Sequence, residues 1–209
     1  MSGKSTNKKL QNAFQRVGNA LGFEFKVYRS LDYLTPIQEK NYIGIRKVGA
    51  APDTSFQQPV GPSYKQVNLY VNTETLHTGD IFVNQDLGKT YVLVNKDPIV
   101  APQAIEATDV VTISRPGYST TGEFKSGLQE IAKDIPAAIY EVGSSSVSST
   151  VAEVKGQGGL NRYSLWIWLP QNSIKINDVI VDSLGNKSYI TSIEFSPVGF
   201  KLTSQSVKS

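Results

Sequence analysis

One short hairpin is written twice in this chain. Gly79-Asp80 opens Ile81-Phe-Val83, the connection Asn84-Gln-Asp-Leu-Gly-Lys-Thr90 reverses at Asp86-Leu-Gly88, and Tyr91-Val-Leu-Val94 returns. Further on, Asp178-Val-Ile-Val181, Asp182-Ser-Leu-Gly-Asn186 and Lys187-Ser-Tyr-Ile190 repeat the order Asp, apolar strand, Leu-Gly, Lys, Thr or Ser, Tyr, apolar. The offset of 98 residues from Asp80 to Asp178 is longer than the ~20–50-residue period of a solenoid. Two related β-modules of roughly a hundred residues each are therefore expected, which suits a chain of 209 residues.

Period-two patterns elsewhere agree. Phe23 to Arg29, Tyr42 to Arg46 and Val67 to Val71 cluster β-formers between turn residues, and Asp109 to Ser114 reads as the strand that closes the first lobe, ended by Arg115-Pro-Gly117. One segment is helical. Leu10, Phe14, Val17 and Leu21 fall at i, i+4, i+7 and i+11, a single apolar stripe, and Gly22 is the expected stop. The fold class expected is mainly β, with two sandwich- or barrel-like lobes, an N-terminal amphipathic helix and long loops. The expected divisions are a helical arm over 1–22, a first β-lobe over 23–116, a connecting segment with a Ser/Gly-rich loop over 117–160, and a C-terminal β-segment carrying the repeated hairpin over 161–209.

Composition narrows the function. The chain has no cysteine and a single histidine, His77, which excludes disulfides, thiolate nucleophiles and cysteine zinc sites. His77 lies beside Glu74 in a turn-like run, and no Gly-x-Ser-x-Gly accompanies it. Asp80 and Asp178 occupy equivalent places in the repeated hairpin, and Asp at a strand entry is expected to bond nearby backbone amides rather than to catalyse. Asp86 and Asp182 belong to turns, and Gly156-Gln-Gly-Gly159 lacks the Gly-Lys-Ser/Thr ending of a phosphate loop. No catalytic, cofactor-binding or metal-binding residue is expected, and no enzyme activity. No apolar run approaches the ~18–20 residues of a membrane span, and the first ten residues are polar and basic, so neither a membrane partner nor a signal peptide is expected.

Net charge is +3, yet residues 1–29 alone carry +5. A basic, amphipathic helix can bind nucleic acid or a membrane surface, but the expected reading is a surface helix packed on its own domain or on a neighbouring subunit. Between Gly49 and Pro62 three prolines and two glycines interrupt fourteen positions, and a loop this broken is commonly ordered by a partner. Candidate interface residues are therefore Leu10, Phe14, Val17 and Leu21 on the helix and Pro52, Phe56, Pro59 and Pro62 in the loop. Tyr163, Trp166 and Trp168 suggest a row of aromatics on one strand face, able to stack on sugars or to fill a core.

Four blocks in order give the chain a resemblance to a known family. They are the helix followed by Val27-Tyr-Arg29; Gly79-Asp-Ile-Phe-Val83 with Lys89-Thr-Tyr-Val-Leu93; Val111-Thr-Ile-Ser-Arg-Pro116 leading to Gly117-Tyr118; and a closing run of Leu169-Pro170, Asn177 to Asp182, Gly185, Tyr189 and Gly199-Phe-Lys-Leu202. Together they resemble the neck, or head-to-tail connector, proteins of contractile-tailed bacteriophages. Where the family often carries a Pro-rich, leucine-bearing segment and a tryptophan, this chain has Asp97 to Pro102 and Phe200. The resemblance implies a structural virion protein forming a ring of six or twelve copies between portal and tail. It implies assembly in the bacterial host cytoplasm, contacts to a portal or adaptor ring and to tail-side neck proteins, and genome DNA passing through without specific binding. No cofactor is implied. The alternative class is a tail-associated carbohydrate- or receptor-binding β-module using the aromatic row.

Overall fold

In the computed structural model the described residues are 3–30, 32, 34–52, 66–97, 100–118, 124–141, 162–169, 173–196 and 198–206. They begin with helix α1 (Gly3–Leu21) and continue as twelve strands: β1 (Phe23–Tyr28), β2 (Tyr42–Pro52), β3 (Gln66–Tyr70), β4 (Ile81–Asn84), β5 (Lys89–Asn95), β6 (Gln103–Ala107), β7 (Asp109–Tyr118), β8 (Phe124–Glu141), β9 (Arg162–Ile167), β10 (Val179–Val181), β11 (Lys187–Ser196) and β12 (Gly199–Ser206). The chain divides into two compact units, one holding α1 and β1 to β6, the other β7 to β12 with residues 32–35 grouped to it.

Each unit is a closed barrel of six strands, every neighbouring pair antiparallel. The first runs β1-β2-β3-β6-β5-β4 around its circumference, and the second repeats that order as β7-β8-β9-β12-β11-β10. Closure leaves no open edge, so the ladder bonds of every strand are available for pairing on both sides. Alternation sets the inside. In β1, Phe25 and Val27 are buried while Glu24 and Lys26 face out, and with Val48, Leu69, Phe82 and Leu93 they build the first core. Val111, Ile113, Leu165, Ile167, Ile190 and Leu202 build the second.

The two-lobe, mainly β architecture expected from the repeated hairpin is thus present, but the lobes meet elsewhere in the sequence. Asp109–Tyr118 opens the second barrel; it pairs with β8 and β10 and does not close the first lobe. The first barrel therefore ends at Ala107, short of the expected 116. Pro116-Gly117 fails to stop the strand for a local reason: β10 pairs with β7 only as far as Ser114, so beyond that point a proline costs no ladder bond on that side. The expected connecting segment 117–160 supplies β8, an 18-residue strand. Its bulge opposite Val111 and Ile113 holds Asp134 at φ 53°, which let the strand escape a simple period-two reading.

The repetition extends to single residues. Lys26, Val27 and Tyr28 pair with Val83, Phe82 and Ile81 in the first barrel, as Thr112, Ile113 and Ser114 pair with Val181, Ile180 and Val179 in the second. Gly79 donates to the carbonyl of Leu93, whose N–H donates to that of Asp80; Asn177, Ile190 and Asp178 form the same pair of bonds. Gly79 and Asn177 sit at φ 92° and 71°, a conformation open to glycine and tolerated by asparagine.

Candidate functional site

Helix α1 is docked on the first barrel, and by a different face from the apolar stripe. Gln11, 4% exposed, accepts at Oε1 from the backbone N–H of Thr73 at 2.9 Å and from its hydroxyl at 3.0 Å. One turn on, the Oε1 of Gln15 accepts from the N–H of Asn72 at 3.1 Å. Gly18 then meets the sheet backbone directly: a Cβ there would lie 2.2 Å from the carbonyl oxygen of Tyr70. Gly22 likewise lies against Val48, where a Cβ would stand 2.5 Å from its carbonyl carbon. The helix ends at Leu21, as expected, and Gly22 follows it without a positive φ; its smallness serves close approach.

At about 100° per residue, Gln11, Gln15, Gly18 and Gly22 form one face, and the apolar stripe lies roughly a quarter turn round the helix from it. Leu10 and Phe14 are half-buried, with the Phe14 ring 6.3 Å from that of Tyr70. Val17 is 37% exposed, Leu21 76%, and Phe23, where β1 begins, 57%. The segment 1–22 is therefore part of the first unit rather than an arm, and only the lower half of the stripe faces outward. Lys8, Lys9 and Arg16 are exposed. Pro52 ends β2, its backbone paired with Val67; Phe56, Pro59 and Pro62 lie outside the described residues.

The polar centre of each barrel is an arginine clamp. Arg29 donates from Nε and Nη2 to the two carboxylate oxygens of Asp80, at 2.8 and 2.7 Å, and Nη2 also reaches the carbonyl of Thr75 at 2.8 Å. Asp80, 1% exposed, accepts a further bond at Oδ2 from the backbone N–H of His77. In the second barrel Arg115 repeats every bond: Nε and Nη2 to Asp178 at 2.8 Å each, Nη2 to the carbonyl of Ser173 at 2.6 Å, and the N–H of Lys175 to Oδ2 at 2.7 Å. The bonds to the carboxylates hold both guanidinium pKa values above their ordinary range. Each carboxylate is thus engaged by an arginine of its own barrel, and it ties the start of the hairpin to the end of the first strand. Sequence reasoning placed the aspartates correctly at strand entries but missed the arginines, although both stand in the blocks that carry the family resemblance.

Other sequence candidates resolve locally. His77 is exposed and contributes its backbone. Asp182 organises its own turn, accepting from the N–H groups of Leu184 and Asn186. The aromatic row does not form: Tyr163 packs with Leu165 and Ile167 on the core side of β9, whereas Trp166 has the opposite parity and is itself buried. Trp168 lies past the strand end. Gly199 makes room for Trp166, whose ring would come within 2.8 Å of a Cβ there. Gly156 to Gly159 fall outside the described residues.

Lys89 and Glu106 form an ion pair at the mouth of the first barrel. The hydrogen bond to Glu106 raises the Lys89 pKa above its ordinary 10.5. A raised folded pKa means that the pair's contribution is fully present below that ordinary value and is lost as pH rises through the folded one. The stability advantage of the natural chain over Glu106→Gln is accordingly expected to be constant near about pH 8 and to shrink above about pH 10.5. Urea titrations of both proteins across that range check it; an advantage unchanged at high pH would remove Lys89 from the account.

No family model, no curated protein and no solved structure matches the chain.

Proposed function

We propose that this chain is a structural protein of a tailed bacteriophage, one subunit of a ring in the neck that joins the head to the tail and lines the DNA passage. The observation that carries the reading is the outward half of the helix stripe: Val17 and Leu21 lie exposed on a helix that Gln11 and Gly18 dock on the first barrel, with Phe23 exposed where β1 begins. Apolar side chains held out by a docked helix suit a heterologous contact with the next subunit, the kind that closes a ring. The four resemblance blocks support it in turn, because two of them contain the clamp arginines and two the clamp aspartates. Among the described residues no helix is long and apolar enough to cross a membrane.

The DNA in such a passage must slide, and each phosphate gripped would add salt-dependent affinity, so a lining without specific DNA contacts fits the role. Cryo-electron microscopy of phage particles containing the chain tests the reading. Ring density for two six-stranded barrels per subunit between portal and tail supports it; the same density at the tail tip, or none in the particle, overturns it. A matched pair of variants tests the surface. Val17→Glu and Leu21→Glu change exposed positions and are expected to shift folding stability by no more than about 0.5 kcal/mol, yet to abolish incorporation into particles. Normal incorporation would place the subunit contact elsewhere.

A further inference from the structure

The two barrels share one topology but end differently at one mouth. In the first, the rings of Phe25 and Tyr91 lie tilted with centroids 5.6 Å apart, and Lys89 of β5 pairs with Glu106 of the adjacent β6. Register identifies the counterparts in the second. Tyr91 faces Phe82 and Glu106, as Ser188 faces Ile180 and Ser206, and Phe25 corresponds to Val111, two residues before the strand position shared by Val27 and Ile113. Two rings and the acid of the ion pair are thus replaced by a valine and two serines. A cavity of about 760 Å³ remains, to which all six strands or their adjoining turns contribute, within the ~300–1,000 Å³ common for small-molecule sites.

We propose that this cavity binds a small neutral polyhydroxylated ligand, a mono- or disaccharide. Its depth is apolar: Leu165 and Ile180 are buried, and Ile139 and the Tyr163 ring form half-buried walls. Such surface suits the C–H faces of a pyranose ring. The lining also holds acceptors, Asp109 and Asp182, and donors, Lys187 and the Asn186 amide, which spends one bond on Asp182 at 2.8 Å and keeps a second N–H, together with the Ser188 hydroxyl, bonded to Ser204 at 3.1 Å. A sugar hydroxyl both donates and accepts, so it satisfies both sets. An anion would face the two carboxylates, a purely apolar ligand would strip water from them without replacement, and an ammonium would answer only the acceptors.

The test is protein-observed NMR on the full chain, titrated with glucose, galactose, N-acetylglucosamine, maltose and lactose, and with butylammonium and inorganic phosphate as contrasts. At least one sugar is expected to give saturable shifts at Asn186, Ser188 and Ser206 with a Kd of about 1 mM or below. Ser188→Tyr, which copies the plug of the first barrel, is expected to weaken binding at least about tenfold, a change of ~1.4 kcal/mol. Should that variant not fold, Asn186→Ala removes an exposed amide from the lining, with its bond to Asp182, and is expected to weaken binding about threefold or more. Absence of saturable shifts with all five sugars overturns the proposal. So do shifts that survive both substitutions, or saturation by butylammonium or phosphate in preference to any sugar.

Discussion

Arg115→Ala is expected to destabilise the second barrel by about 3–5 kcal/mol, a large part of the ~5–15 kcal/mol that holds a typical domain together. The reason lies with its partner. Asp178 is 1% exposed, and removing the guanidinium leaves its carboxylate with the backbone N–H of Lys175 and, among the described residues, no counter-charge. The carbonyl of Ser173 loses its donor in the same step. Arg115→Lys is expected to recover only part, because a single ammonium cannot span both carboxylate oxygens and the carbonyl in one plane. Both tryptophans belong to this unit, so urea unfolding followed by tryptophan fluorescence reads the loss directly. A midpoint within about 1 kcal/mol of the natural chain would show that the hairpin is anchored by its ladder alone. Arg29→Ala, followed by backbone circular dichroism, is expected to cost the first barrel a similar amount, since its clamp has the same bonds.

How much of this was legible in the sequence depends on the range over which the residues act. The hairpins were readable because strand, turn and strand are contiguous, and the aspartates because a strand-entry carboxylate bonds amides two or three residues away. The arginines were not, since 51 and 63 residues separate them from their partners, and only closure of the barrel brings them together. The residue-type repeat also misled in one place. Matching Lys-Thr-Tyr with Lys-Ser-Tyr equates Tyr91 with Tyr189, but the second turn is one residue shorter, so Ser188 takes the interior position and Tyr189 is 43% exposed. That one-residue slip separates a plugged mouth from an open one. For the helix, the pattern of Leu10, Phe14, Val17 and Leu21 suggested an apolar docking face, whereas the docked face is made of glutamines and glycines. Their role rests on backbone groups of Asn72, Thr73 and Tyr70 that no local pattern reveals.

Gly18→Val is expected to free that helix from the barrel. The new side chain would begin 2.2 Å from the Tyr70 carbonyl oxygen and 3.0 Å from that of Lys47, both backbone atoms of strands tied on either side, so the helix must move. Overpacking of this kind costs about 1–3 kcal/mol. Moving the helix also breaks the bonds of Gln11 to Thr73, exposing or orphaning a buried N–H for about another 1–3 kcal/mol. A 19-residue helix without its docking surface is marginal in water, because most helical stability comes from tertiary packing. The readout is therefore specific: ellipticity at 222 nm should fall while the strand signal and the tryptophan environment of the second unit persist. Val17→Ser, one position away but exposed, is the control and should change neither. Retention of full helical ellipticity in Gly18→Val would mean that the helix is held by Phe14 and Gln15, with room to shift. Loss of it would show that the surface offered by Val17 and Leu21 exists only because Gly18 lets the helix rest on bare backbone.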